Sequence, residues 1–542
     1  MYDILIKNGK IVDGTGTPWE KGDIAISNGI IQEIGPSIKA AANLEIDAEG
    51  KVVCPGFIDV HSHSDLSVLI DPQTDSKAKQ GITTDISGNC GISEGGPLLN
   101  QEALNETKSR IEGTDVVVDW KYFDEYLDRI EKQGVSINFA SYVGHNQIRM
   151  SVMGYKDSKA SQAELEEMKN LVKNSIKGGA VGMSTGLDQG LAPGCFADTE
   201  EIIELCKAAK ETNPKAVYAS HTRNRQDKTF DAMAEFIQIV RASGIRGQIS
   251  HITPRFPDGD KIDHALEMVE DARAEGLDIL FDVVVPAGKD YHAGMGRLHT
   301  QVMPGWALKE GTEQALRYLK DPQKREEMKK THEPLWGAIK QGLWDTVFLG
   351  HCRNRKDWEG KFFSEIAQLE GKDPWEVAYD ILANEGYNFN KVRIGCLKHT
   401  REIDTRKALL SPLAMMETDR ASSADYPPLS KFGVQPNAFD AFPRFLQRYV
   451  RDEKVLGLEE AIKKITFIPA KRMSLRNRGA IIMNFAADVL VIDLDKLEAK
   501  ATLDHPTVYP KGINYVIVNG KVVVKEGIHT EELAGKVLRL TN

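Results

Sequence analysis

The strongest constraint on the fold of this chain is that its two ends carry the same local signal. Near the start, the alternating run Tyr2-Asp3-Ile4-Leu5-Ile6-Lys7 meets Asn8-Gly9 and continues as Lys10-Ile11-Val12. Near the end, Tyr515-Val516-Ile517-Val518 meets Asn519-Gly520 and continues as Lys521-Val522-Val523-Val524. Asn-Gly supplies the two positive-φ positions of a tight hairpin, so each stretch reads as strand, turn, strand. The run 22–26 leads to Asn28-Gly29 as a further strand, and 487–492 matches it near the C-terminus. The expectation is one small β-domain built from roughly 1–55 and 477–542, with the rest of the chain inserted between its halves.

The inserted middle alternates short apolar runs with helical stretches. Strands are expected at 52–60, 83–87, 137–143, 181–184, 216–220, 247–250 and 279–284, and helices at 162–177, 200–210, 229–242 and 261–275. Such alternation points to a parallel sheet with right-handed crossovers. Eight units would make a (β/α)8 barrel over 56–476, an α/β architecture whose active sites lie at the C-terminal ends of the strands. Segment 286–350 breaks the rhythm and reads as an insertion or lid over that face.

Several of these strands end in residues that bind metals. The run 52–60 ends in His61-Ser62-His63, and residues i and i+2 of a strand share a face, so both imidazoles can aim at one point. The run 83–87 leads to Cys90 between Gly88 and Gly91. A lone cysteine is most often a small buried hydrophobe, but two more strand-like runs end in Ser220-His221 and Ser250-His251, one βα unit apart. Soft sulfur with imidazole suits zinc. Late in the middle, the short apolar run of Ala414-Met415-Met416-Glu417-Thr418-Asp419-Arg420 meets an acid, and a carboxylate such as Asp419 near a zinc-bound water can accept its proton and return it to a leaving amine.

In order and spacing these stretches resemble the D-aminoacylase (N-acyl-D-amino-acid deacylase) branch of the amidohydrolase superfamily. The matching segments are PGFIDVHSHSD, GITTDISGNCGIS, YVGHNQIR, GAVGMSTGL, the two Ser-His strand ends, FPRFLQRYVRD, LGLEEAIKKIT, RGAII with ADVLVID, and GINYVIVNGKVVV. The resemblance spans essentially the whole chain. It implies a (β/α)8 barrel with a small β-sandwich from both termini. It gives the tight zinc site to Cys90, His221 and His251, a second and weaker site to His61 and His63, and the catalytic role to Asp419. No lysine stands where carboxylation would bridge two metals, so Cys90 is the candidate bridge.

The departures bear on substrate. Where the family reads Ser-His-Leu-Lys, this chain reads Ser250-His251-Ile252-Thr253. Where it reads Asp-x-Tyr-Pro-Tyr, this chain reads Asp282-Val283-Val284-Val285-Pro286-Ala287. Where it reads His-Pro-Arg, this chain reads Gln435-Pro436-Asn437. The groups that hold the substrate carboxylate are therefore absent together. Arg223, Arg225, Arg255 and Arg420 are the candidate replacements, and His145 or a backbone N–H is the candidate oxyanion donor.

Other classes fare worse. With a net charge of −10 and a pI near 5.8 the chain lacks the basic footprint of a nucleic-acid binder. The start shows no secretory pattern, no run is long and apolar enough to span a membrane, and six scattered cysteines suit a reducing cytoplasm. No phosphate loop or dinucleotide fingerprint appears, and Cys195 has no evident base. The expected partner is a small amide. Size permits a homo-oligomer, although no stretch marks an interface. Two alternatives stand beside the deacylase: a cyclic amide or ureide hydrolase with the same metal site, and a metal- or ligand-binding scaffold that has lost its chemistry.

Overall fold

The computed structural model describes residues 1–308, 311–431 and 435–541. Strands from both ends of the chain share one nine-stranded sheet. Tyr2–Ile11, Glu20–Ser27, Ile30–Gly35, Ala42–Asp47 and Val52–Pro55 come from the start, and Val489–Ile492, Ile513–Val518, Lys521–Lys525 and Ile528–His529 from the end. The two sets meet where Val52–Pro55 pairs antiparallel with Val489–Ile492, Cys54 opposite Leu490. One apolar layer joins them: Ile4, Ile6, Ile24 and Val53 pack with Val489, Val491 and Ile517.

Two of the three Asn-Gly signals are hairpin turns. Asn28-Gly29 and Asn519-Gly520 each place both residues at positive φ and connect paired strands. Asn8-Gly9 is not a turn. Tyr2–Ile11 runs straight through it, with a bulge between Ile6 and Gly9 in its pairing to Glu20–Ser27. Asn8 sits at φ 56° and its N–H reaches Asp23 Oδ1 at 2.9 Å instead of a ladder partner. A bulge uses the same left-handed residue as a turn, so the local signal does not separate them.

The middle segment supplies parallel strands, each at or within a few residues of its expected place. Phe57–Asp59, Ile82–Ser87 and Asn138–Ser141 pair in parallel. Val143–Gly144, Gly182–Gly186, Val217–His221, Arg246–Ile249, Ile279–Val284 and Ala414–Glu417 form a second parallel run. The runs are stitched at both margins. Val181 N–H donates to Ser141 O at 3.0 Å, and Asp419 N–H donates to His61 O at 3.0 Å. The expected strand 52–60 is divided at Gly56, where a Cβ would lie 2.0 Å from Thr83 Oγ1. Val52–Pro55 thus belongs to the terminal sheet and Phe57–Asp59 to the parallel set.

The expected helices are present at Gln162–Lys177, Thr199–Thr212, Thr229–Ser243 and Ile262–Ala274. The first starts at a capping box, with Ser161 accepting from the Glu164 N–H and Glu164 reaching back. The insertion is larger than expected. Tyr291–Arg297 and Val347–His351 both pair antiparallel with Arg393–Arg401, so this sheet extends well beyond 350. It has its own core around Leu298, Trp336, Trp344, Phe363 and Tyr379. No helix among the described residues is long and apolar enough to cross a membrane, and all six cysteines are free.

Gly88 ends the strand that leads to Cys90. It lies at φ +75°, and a Cβ there would stand 2.2 Å from Tyr142 O. Gly113 has a similar φ of +83° but open space around it. Left-handed backbone costs an L residue about 1–2 kcal/mol, and forced overpacking about 1–3 more. Gly88→Ala should therefore lose about 3 kcal/mol in a denaturant melt and Gly113→Ala about 1, and equal losses would show that crowding at Gly88 is relieved.

Candidate metal centre

The strand ends converge. His61 and His63 follow Phe57–Asp59, Cys90 follows Ile82–Ser87, His221 closes Val217–His221 and His251 follows Arg246–Ile249. Cys90 Sγ lies 3.3 Å from His61 Nε2, 3.6 Å from His221 Nδ1 and 3.6 Å from His251 Nε2. Asp419 Oδ1 lies 3.1 Å from His63 Nε2 and 3.7 Å from His61 Nε2. Three donor sets result: His61–His63–Cys90–Asp419 and Cys90–His221–His251, which share the thiol, and His61–Asp282–Glu417.

The donors fit a zinc-like ion. Tetrahedral zinc with bonds of about 2.3 Å to sulfur and 2.0–2.1 Å to nitrogen separates those ligand atoms by about 3.6 Å. Both Cys90–histidine spacings of the second set have this value. Burial by itself would raise the Cys90 thiol, but the charge of His61 and hydrogen bonds from His221, His251 and His61 outweigh it and hold the thiol well below its usual range. Burial likewise opposes ionisation of Asp419, and Arg420, His63 and His61 reverse it, keeping the carboxyl well below the usual carboxylate range.

Three of these residues sit in left-handed backbone: Cys90 at φ 54°, His251 at φ 38° and Asp419 at φ 53°. Such conformations persist only where surrounding contacts impose them. For His251 the contact is Asp282 Oδ1, which accepts its N–H at 2.5 Å. Around Asp419 the contacts come from a fully buried pair. Lys77 Nζ donates to Asp59 Oδ2 at 2.6 Å, Thr418 Oγ1 at 2.8 Å and Arg420 O at 2.9 Å. Asp59 also accepts from Thr418, from N at 3.1 Å and from Oγ1 at 2.6 Å. The residues on either side of Asp419 are thus fixed from below.

Further charges back the first ligands. His61 Nδ1 lies 2.8 Å from Glu417 Oε2 and 3.4 Å from Asp282 Oδ1, which turns Nε2 toward Cys90. His221 Nε2 lies 3.3 Å from Asp188 Oδ2, and Arg255 donates to the same oxygen at 2.6 Å. Arg255 Nη2 is also 3.3 Å from His221 Nε2. Arg420 leans on the Asp419 carbonyl and carboxylate.

Two expected substrate contacts are drawn away. Arg223 is held by Glu235, at 2.9 Å from both Nε and Nη2, and by the carbonyls of Cys195 and Ala197. His145 is fully buried, its Nε2 2.8 Å from Glu201 Oε1. The acids that take them stand on neighbouring helices, so nearness in sequence to a strand end did not fix where these side chains point. Conversely, Lys77 and Asp188 reach the site from outside the strand-end motifs, and no local pattern marks them.

The amidohydrolase family profile matches residues 44–325 and 338–524. The chain belongs to the amidohydrolase family. Along its whole length it is similar to the D-aminoacylase of Alcaligenes xylosoxydans xylosoxydans, 28% identical over 541 residues that cover 100% of this chain and 98% of that one. The N-acyl-D-glutamate deacylase of the same organism is 28% identical, covering 99% and 96%. Among solved structures, a D-aminoacylase with a binuclear metal centre superposes with a TM-score of 0.81 at 26% identity, covering both chains fully. An N-acyl-D-glutamate deacylase from Bordetella bronchiseptica, complexed with zinc and a phosphonate inhibitor, gives 0.80 at 27%, covering 99% and 100%. An L-hydantoinase from Arthrobacter aurescens, at 16% identity and a TM-score of 0.56, shares the fold.

Removing one partner of a buried ion pair leaves a bare charge and costs about 3–5 kcal/mol. Lys77→Met should therefore lower stability by about that amount in a chemical melt, whereas the exposed-pair variant Arg241→Met, which breaks only the surface contact to Glu275, should lose under about 1 kcal/mol. Equal losses would mean that the Lys77 joint relaxes when broken.

Proposed function

We propose that this chain is a zinc-dependent hydrolase of C–N bonds that deacylates an N-acyl-D-amino acid or a related N-acyl amine. The observation that carries the reading is the matched 3.6 Å spacing of Cys90 Sγ to His221 Nδ1 and His251 Nε2, beside a half-buried Asp419 held 3.1 Å from His63 Nε2. Cys90, His221 and His251 would hold the tighter ion, and His61 and His63, with Cys90 shared, a second. A divalent ion there would supply Lewis acidity, making water nucleophilic near neutral pH and polarising an amide carbonyl.

The residues of the chain supply the rest. Asp419 is positioned to take a proton from the water that adds to the carbonyl carbon, and to return it to the nitrogen as the C–N bond breaks. No covalent bond to the protein forms. Arg420 braces the Asp419 backbone and carboxylate, and the Lys77–Asp59 pair keeps that backbone in its left-handed turn. The parallel strands of 56–476 are read as a (β/α)8 barrel closed between Phe57–Asp59 and Ala414–Glu417. The terminal sheet is read as a small β-sandwich over 1–55 and 477–542, and the segment from 286 onward as a lid. A reducing cytoplasm suits a free thiol ligand.

Elemental analysis with an N-acyl-D-amino-acid panel, read by released amine, tests this. The wild type should carry at least one zinc per chain and turn over D-configured members. Asp419→Asn should keep the ion held by Cys90, His221 and His251 and lose about 10²–10⁴-fold in kcat. Cys90→Ala should lose most of the metal as well as the activity. A metal-loaded protein with full activity in Asp419→Asn would remove the proton-transfer role, and unchanged metal in Cys90→Ala would remove the ligand assignment.

A further inference from the structure

Arg225 leaves the strand Val217–His221 four residues beyond His221 and is buried, with 6% of its surface exposed. Its Nη2 donates to the Thr253 carbonyl at 2.6 Å, while its Nε has no partner. Among the described residues no carboxylate oxygen lies within 4.0 Å of it. The other arginines nearby are matched: Arg223 with Glu235, Arg255 with Asp188, Arg420 with Asp419 and Arg444 with Asp440. A buried guanidinium without a counter-ion is costly. Burial, with Arg255 beside it, pushes the Arg225 pKa down to about 10.

The surroundings of Arg225 say what would relieve it. Its charge is felt at His251 and Asp419 of the candidate centre, and at His292 and His399 of the three-stranded sheet. The rings of His292 and His399 are 6.3 Å apart, and each has a buried Nδ1 without a partner. Burial first, and then neighbouring cations, hold both neutral, His292 being pushed down to about 3. A neutral imidazole can still donate one N–H. An unmatched buried cation and two uncharged imidazoles thus stand within electrostatic range of one another.

Two positions where the resembled family places carboxylate-holding cations carry neutral side chains here. Thr253, in place of lysine, gives its carbonyl to Arg225. Asn437, in place of arginine, donates Nδ2 to Val285 O at 2.9 Å. We propose that Arg225 is the seat of an anionic group of the substrate, the α-carboxylate of an N-acyl amino acid. The grip on that carboxylate has moved to the loop after Val217–His221. The proposal rests on the hydrolase reading above, because it names how that substrate is held.

The test compares matched pairs on the zinc-loaded enzyme: N-acetyl-D-alanine, -leucine and -phenylalanine, each against its primary amide. Turnover is read by released amine and binding by calorimetry. The wild type should favour the acid of each pair by at least about tenfold in kcat/KM. Arg225→Gln, which can keep the bond to the Thr253 carbonyl, should raise KM for the acids by at least about tenfold more than for the amides, with the smaller change in kcat. Arg225→Lys should recover part of the preference. No preference in the wild type, or an equal loss for acids and amides in Arg225→Gln, overturns the seat. If no pair is turned over, the hydrolase reading fails for these substrates and calorimetry alone decides. Binding of the acids that is weaker for the amides and lost in Arg225→Gln keeps the seat, and its absence overturns it.

Discussion

The placement of Asp419 at the candidate centre depends on a joint that contains no candidate ligand. Lys77, Asp59 and Thr418 form a closed set of charge-assisted bonds in a place with no solvent. Asp59 belongs to the first parallel strand and Thr418 follows the last, so the joint ties the two ends of the parallel set together. Burying a charged pair rarely adds net stability relative to apolar packing, because desolvation offsets the attraction. Its value lies in specificity. With both partners in place there is one arrangement of the backbone around Asp419, and every alternative leaves a charge bare.

That logic extends to the strained positions. Cys90, His251 and Asp419 each stand just beyond a strand, where the chain must turn sharply and the side chain must project back over the strand ends. Left-handed backbone achieves this at a cost of about 1–2 kcal/mol per residue. The costs are met by buried bonds such as the one from His251 N–H to Asp282 Oδ1. Gly88 and Gly91 flank Cys90 because a Cβ at either would collide, at Gly91 with Asn146 Oδ1 at 2.1 Å.

What the sequence reveals follows from range. Signals carried by a few neighbouring residues are legible: the capping box at Ser161, the hairpins at Asn28-Gly29 and Asn519-Gly520, and the strand ends at His61, Cys90, His221 and His251. Signals that need a distant partner are not. Asn8-Gly9 becomes a bulge because Asp23 captures its N–H. The inserted sheet extends beyond 350 because Tyr291–Arg297 finds Arg393–Arg401 about a hundred residues away. Arg223 and Arg225 look equivalent in sequence, yet Glu235 takes one and no acid among the described residues takes the other. Family resemblance supplied the grouping of ligands, and it supplied nothing about Arg225.

The shared terminal sheet has a consequence for how the chain is made. Val52–Pro55 is an interior strand, buried between its neighbours, and its partner Val489–Ile492 lies roughly 430 residues later. At synthesis rates of about 5–20 residues per second, the first strands wait roughly 20–90 s for that partner to emerge. During this interval the ribosome holds an apolar β-edge with nothing to cover it, an invitation to pair with another nascent chain. Heterologous production should therefore be limited by co-translational aggregation, and slower initiation or more abundant chaperone should help more than any change at the centre itself.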